Sequence, residues 1–200
     1  MKKGHTLLEM MIACSVASIC ALGILALVKA GVRYLLVTEA KTTLQKDAIL
    51  AMRRLSDEFS ETNDASFNIG NSTNGSVNRG VVFANPRDPV SGEVSYDPAG
   101  RMYWPKLVCY FVKVESNVQC IARNVTLLPI PKAFPPPVDL LDTYLGNTSS
   151  TPSKIVARNV ALFELTNDAS IMALDLKMEL PSNYGRKYGF QVKTQIFIRN

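Results

Sequence analysis

The sequence predicts an α+β protein in which one long N-terminal helix, transmembrane and then amphipathic, packs on a mainly antiparallel β-sheet domain. Three observations carry that prediction. Met10 to Val28 are nineteen consecutive residues without a charge, close to the roughly 20 apolar residues that cross the hydrocarbon core of a bilayer. An apolar stripe with helical spacing continues past this run, with no proline before Pro86. Beyond it, short stretches rich in Val, Ile, Phe and Tyr alternate with turn residues, the pattern of strands joined by hairpins.

The helix is read first. Ala40, Leu44, Ala48, Met52, Leu55 and Phe59 recur at intervals of three to four, with Lys41, Lys46, Asp47, Arg53, Arg54, Asp57 and Glu58 between them, which is an amphipathic stripe. One continuous helix from about Thr6 to about Glu61 would be roughly 80 Å long at 1.5 Å per residue. Its first half would lie in lipid and its second half would bury its stripe against a globular domain. Gly23 and Gly31 each cost about 1 kcal/mol relative to Ala in a helix interior. They fit close helix packing or slight bending; local melting outside the membrane is the other reading.

Residues 62 to 80, dense in Asn, Ser, Thr and Gly, read as a loop. Strands are expected at Gly80 to Ala84, Leu107 to Val114, Val118 to Leu128, Ile155 to Leu165, Ile171 to Leu180 and Gly189 to Ile198. Turns are expected at Glu115-Ser116-Asn117 and Thr166-Asn167-Asp168. In the last strand Gln191, Lys193 and Gln195 alternate with apolar neighbours, so one of its faces meets solvent. Pro129 to Lys154 interrupts the strands, and Pro135-Pro136-Pro137 predicts an extended surface excursion there.

Composition narrows the function. The net charge is +5, but residues 1 to 60 hold eight Lys/Arg against five acids, leaving fourteen against twelve in the remainder. No basic stripe argues for nucleic acid. His5 is the only histidine and stands at the membrane junction, which excludes Ser-His-Asp and Cys-His sites in the soluble part. Neither zinc spacing nor a phosphate loop ending in Gly-Lys-Ser/Thr occurs, so no metal or cofactor is expected and the chain reads as a non-enzyme. Cys14 and Cys20 sit in the apolar run as small hydrophobes. Cys109 and Cys120 flank an expected hairpin and would bridge only if the register of its two strands brought them together. Lys2 and Lys3 favour a cytoplasmic amino terminus, although Lys29 and Arg33 follow the span.

The junction Gly4-His5-Thr6-Leu7-Leu8-Glu9 singles itself out by Glu9, a carboxylate inside the apolar run. An ionisable residue there costs about 2.5 to 3.5 kcal/mol on an insertion scale. An opposite charge about 4 Å away recovers on the order of 4 kcal/mol at an effective dielectric near 20. With the basic leader Met1 to Gly4, the string Thr6-Leu7-Leu8-Glu9 and the apolar helix behind it, the chain resembles the type IV pilin-like proteins, departing from their pattern in His5, where Phe is usual. The resemblance implies that a prepilin peptidase cuts between Gly4 and His5 and methylates the new amino terminus of His5. It implies too that Glu9 pairs with that terminus on a neighbouring subunit during assembly.

The same resemblance divides the chain into a leader at 1–4, a transmembrane helix at 5–33, an amphipathic helical half at 34–61 and a periplasmic β-rich domain at 62–200. Met52 to Phe59, Val156 to Leu165 and the closing Phe197 to Asn200 further resemble J-type minor pseudopilins of type II secretion and the related W-type minor pilins. Partners would then be the prepilin peptidase, other minor and major pseudopilins or pilins, the inner-membrane assembly platform and inner-membrane lipid. A rival reading makes Cys14 the lipidation site of an anchored lipoprotein or binding protein. Against it, the apolar run continues to Val28, whereas a lipoprotein turns polar soon after its cleavage site.

Overall fold

A computed structural model describes residues 6–70, 77–132, 136, 153–168, 171–181 and 187–198. Helix α1 spans Leu7–Ser60 without a break, including at Gly23 and Gly31. The chain divides into two compact units, Met1–Thr43 and Leu44–Asn200, with the boundary inside α1.

In the first unit α1 leaves its apolar side chains exposed all round, from Leu7 through Leu36. It is long and apolar enough to cross a membrane, with a mean hydropathy of 2.5 over an 18-residue window. Hydroxyls within this stretch are bonded internally: Ser15 Oγ donates to the Met11 carbonyl and Ser18 Oγ to that of Cys14, both at 2.8 Å. Such i−4 bonds let an apolar helix carry Ser without an unsatisfied polar group.

Among the described residues the second unit holds the end of α1 and eight strands. A five-stranded antiparallel sheet has the order β1 (Phe67–Gly70), β2 (Val77–Asn85), β3 (Trp104–Glu115), β4 (Val118–Lys132), β5 (Lys154–Arg158). A three-stranded antiparallel sheet follows, of β6 (Val160–Asp168), β7 (Ile171–Pro181) and β8 (Lys187–Phe197). The buried stripe of α1 is Leu44, Ala48, Ala51, Met52, Leu55 and Phe59, five of which the sequence periodicity picks out. It joins Val81, Phe83, Val108, Tyr110 and Ile121 of the first sheet and Phe163, Met172, Leu174, Leu176 and Met178 of the second in one core. Its aromatic centre is Phe59 against Phe83 at 4.6 Å between ring centroids, with Tyr110 stacked 6.1 Å from Phe83. The reverse face of the first sheet gathers a second cluster of Val82, Ala84, Trp104, Leu107, Cys109, Phe111 and Ala122. With both faces covered, β3 is buried from Trp104 through Val112.

Four expectations need correction. The stretch 62–80 is not all loop: a short 3-10 turn at Asp64–Ser66 leads into β1, and β2 starts at Val77; Asn71 to Ser76 lie outside the described residues. The reason is that Phe67 and Ile69 pack on the main core while pairing with Phe83 and Val81. Ile155 to Leu165 is not one strand, because Asn159 takes φ 61°, a left-handed conformation that Asn tolerates better than most residues. The chain thereby leaves β5 in one sheet and enters β6 in the other, and the Asn159 carbonyl accepts the Glu179 N–H at 2.8 Å. Thr166, Asn167 and Asp168 belong to β6, paired with Ala173, Met172 and Ile171; Ala169 and Ser170 lie outside the described residues. The excursion starts later than Pro129, since β4 continues to Lys132. Pro129 and Pro131 fall where β4 has no β5 beside it and its register with β3 shifts, so fewer ladder bonds need their missing N–H groups. Of the triple proline only Pro136 is described, its carbonyl accepting from Ser66 Oγ at 2.9 Å.

The Glu115-Ser116-Asn117 turn is where expected. Ser116 and Asn117 lie at φ 52° and 61° between the paired Glu115 and Val118, a two-residue hairpin loop of the I′ type.

Candidate functional site

The site the sequence points to is the start of α1. Gly4 and His5 lie outside the described residues, so the geometry begins at Thr6. Its carbonyl accepts the Met10 N–H at 3.2 Å, which makes Thr6 the cap of the helix. Thr6 Oγ1 accepts the Glu9 N–H at 3.3 Å, and the Glu9 carboxylate accepts the Thr6 N–H through Oε2 at 3.0 Å. This is a reciprocal capping box, Ser/Thr-x-x-Glu, in which two of the orphan N–H groups of the helix start are satisfied by side chains. The negative carboxylate also stands at the positive end of the helix dipole.

The function of Thr6 as a cap was open to sequence reasoning, because Thr-Leu-Leu-Glu fits the capping-box pattern before an apolar run. Reading Glu9 only as a charge in lipid hides it. The carboxylate does not wait for a second chain to gain a hydrogen bond; it turns back on its own backbone, one residue from His5. Leu7 and Leu8 are exposed beside it, so the apolar surface begins within the capped turn itself.

Residues 1–25 match the prokaryotic N-terminal methylation motif. The match supports a type IV pilin-like protein, and the Glu9 carboxylate folded onto Thr6 lies within it. No curated protein and no solved structure matches the chain. The methylation motif thus covers the capping box and most of the uncharged run, and the β-rich unit lies outside it.

Cys109 and Cys120 are not brought together. Cys109 stands opposite Asn124 and Cys120 opposite Lys113, so the register sets them four residues apart along the hairpin. At about 3.4 Å per residue that is roughly 14 Å, about twice the largest Cα separation a disulfide bridges. Both thiols are free and buried. Burial pushes Cys109 up from 9.0 to about 12 and raises Cys120 as well. Among the described residues no three His, Cys, Asp or Glu side chains are grouped to hold a metal.

A second polar constellation lies in the β-rich unit, where α1 meets the first sheet. Glu58 accepts from Tyr110 Oη at 2.9 Å and from Arg123 Nε at 3.1 Å, and pairs with Arg123 Nη2 at 3.0 Å. Arg54, one helical turn earlier, comes to 3.7 Å. Burial and the neighbouring Glu58 carboxylate push the Tyr110 phenol well above its ordinary range, keeping it a donor. Glu61, at the helix end, binds the Arg87 guanidinium, whose Nη1 also donates to the Gly92 carbonyl at 2.8 Å. Sequence reasoning missed this cluster, since Glu58 and Arg123 lie 65 residues apart and only the fold brings them together.

Proposed function

We propose that this chain is a minor pseudopilin, a structural subunit of the periplasmic pseudopilus of a type II secretion system. The observation that carries the reading is the methylation motif joined without a break to a helix whose apolar half is exposed all round and whose second half seats a β-rich unit. The peptidase cuts after Gly4, His5 becomes the methylated amino terminus, and the protein stays anchored in the inner membrane as a single-pass subunit with its C-terminal unit in the periplasm. Its partners are the prepilin peptidase, other minor and major pseudopilins and the inner-membrane assembly platform. No step of this role asks the chain for catalysis.

The capping box adds a mechanism. Cleavage creates a positive amino terminus one residue before Thr6, where the Glu9 carboxylate already points. In a lone subunit Glu9 serves its own helix; beside a neighbour it exchanges that hydrogen bond for a charge pair with the neighbour's terminus. The cap lowers the cost of holding a carboxylate in lipid before assembly, and the exchange leaves the gain of pairing for docking.

The test is the mass of the mature amino terminus in cells with the peptidase. Methylated His5 is expected, and Gly4 replaced by a bulky residue should leave the full-length precursor in the membrane. A lipidated Cys14, or normal processing of the Gly4 variant, overturns the assignment. Deletion of the gene should abolish export of a secreted protein; loss of surface pili with intact export would assign the chain to a type IV pilus as a minor pilin.

A further inference from the structure

The two sheets have four edge strands, β1, β5, β6 and β8. An edge presents a row of unpaired N–H and C=O groups that pairs with another chain unless the strand is short, bulged, broken by proline or guarded by charge. β1 has four residues and β5 five, which makes both poor templates. β6 carries a register irregularity between Val160 and Leu162. β8 is neither short nor bulged. It runs for 11 residues without a proline and pairs with β7 residue for residue, from Pro181 opposite Lys187 to Ile171 opposite Phe197. Among the described residues no strand lies on its other side.

The polar side chains in the middle of β8 do not guard this edge. Lys193 Nζ pairs with Asp175 Oδ2 at 2.8 Å, and Gln191 Nε2 donates to both oxygens of the same carboxylate at 2.8 and 2.9 Å, so both reach back toward β7. On the opposite face the core thins at this strand. Leu176 and Met178 of β7 are buried, whereas Val192 and Phe190, opposite them on β8, pack on the core only half buried. A further strand laid along β8 would cover them. Charge sets what kind of strand fits. Residues 182–200 hold four Lys/Arg and no Asp or Glu. The acids of the outer face are already engaged, Glu164 by Arg79, Asp175 by Lys193 and Glu179 by Lys177. The β8 of a second copy would bring like charge to like; an acidic strand meets the excess.

We propose that the outer edge of β8 is a strand-addition site, taking an extended acidic segment of a partner protein whose main chain continues the β6-β7-β8 sheet. Main-chain hydrogen bonds along Gly189 to Phe197 supply affinity, and the alternation of side chains supplies specificity. Apolar residues of the incoming strand cover Phe190 and Val192 on the core face, and its acids meet the basic C-terminal stretch on the outer face. Phe197, 72% exposed opposite Ile171, adds an apolar contact at the end of the edge.

The experiment uses the full chain in detergent and fluorescent peptides of equal length. One alternates valine and glutamate, one alternates valine and lysine, and one is the valine–glutamate peptide with every backbone nitrogen methylated, which keeps the charge and removes the ladder donors. Anisotropy should show saturable binding of the first and binding about tenfold weaker for the second, the effect of two cross-strand charge pairs reversed in sign. The methylated peptide should not bind. Hydrogen exchange of the complex should slow at alternate amides of β8 and nowhere else in the β-rich unit. Thr194→Lys puts an inward-pointing charge at the edge and should abolish binding with the Trp104 unfolding midpoint unchanged. If that variant loses stability, the exchange pattern of the unaltered chain decides alone. Equal binding of the two charge patterns, undiminished binding of the methylated peptide, or protection away from β8 overturns the site. Protection of the same amides in concentrated chain without peptide, lost on dilution, overturns the acidic partner in favour of a second copy. The peptide arm does not rest on the pseudopilin reading, so either can fail alone.

Discussion

Removing the Glu58 carboxylate should be among the most costly single changes outside the apolar core. In Glu58→Ala the Arg123 guanidinium, with its side chain 14% exposed, loses its bidentate partner, and the Tyr110 hydroxyl loses its acceptor. Breaking a buried pair by deleting one member costs about 3 to 5 kcal/mol. Glu58 itself is 17% exposed, so water recovers part of this and the expected loss is about 3 kcal/mol. The matched control is Arg53→Ala, whose partner Asp57 is 4.0 Å away with both side chains more than two-thirds exposed; its loss should stay within about 0.5 kcal/mol. Trp104 is the only tryptophan and is buried, so its fluorescence reports denaturant unfolding of the β-rich unit in the full chain. The triple variant Glu58→Leu, Arg123→Met and Tyr110→Phe should recover most of the loss, because neither a stranded charge nor an orphaned hydroxyl remains. If Glu58→Ala costs no more than Arg53→Ala, the helix is not held to the sheet by this carboxylate and the reasoning fails.

Four further outcomes are expected. Because the folded thiol of Cys109 titrates at about 12 against an ordinary 9.0, the unfolded chain loses its proton first; stability should fall as pH rises from about 9 to about 12, and a thiol reagent at neutral pH should reach Cys109 only after denaturant is added. Asn159→Val should cost about 1 to 2 kcal/mol, since a β-branched residue is forced to φ 61°, whereas Asn159→Gly should cost less; the Trp104 denaturation midpoint compares them. Thr6→Val removes the hydroxyl that caps Glu9 N–H, which should cost about 1 kcal/mol and speed amide exchange in the first turn of α1. Glu9→Ala should insert in membranes as before and fail to co-purify with partner subunits; unchanged association would reduce Glu9 to the cap alone.

The helix was legible because a 3.6-residue stripe and an uncharged run both span many turns, and each error would have to be repeated to mislead. Leu44, Ala48, Met52, Leu55 and Phe59 all fall in the core for that reason. The strands were legible in their centres and not at their ends. β1 escaped because four residues among Asn and Gly leave no room for alternation to declare itself, and only Phe83 and Val81 across the sheet give Phe67 and Ile69 a reason to be extended. Asn159 escaped because a left-handed residue inside a run of β-formers carries no local mark. The cysteines could not be paired or separated without the register, which the two-residue turn at Ser116-Asn117 sets. The methylation motif was readable in full, while its capping geometry was visible in the letters but masked by attention to the charge.

The internally bonded serines of the apolar helix have a consequence for how such a rod can be located among its fellows. With Ser15 and Ser18 turned onto their own backbone, the flanks from Met10 to Val28 offer a neighbour hydrocarbon, the thiols of Cys14 and Cys20 and the bare backbone at Gly23, but no free hydroxyl. Such a shaft is only weakly indexed along its length. Its position has to be read at its tip, where one carboxylate hangs on a single-turn latch, and at its root, where Glu58 and Phe59 lock into the sheets.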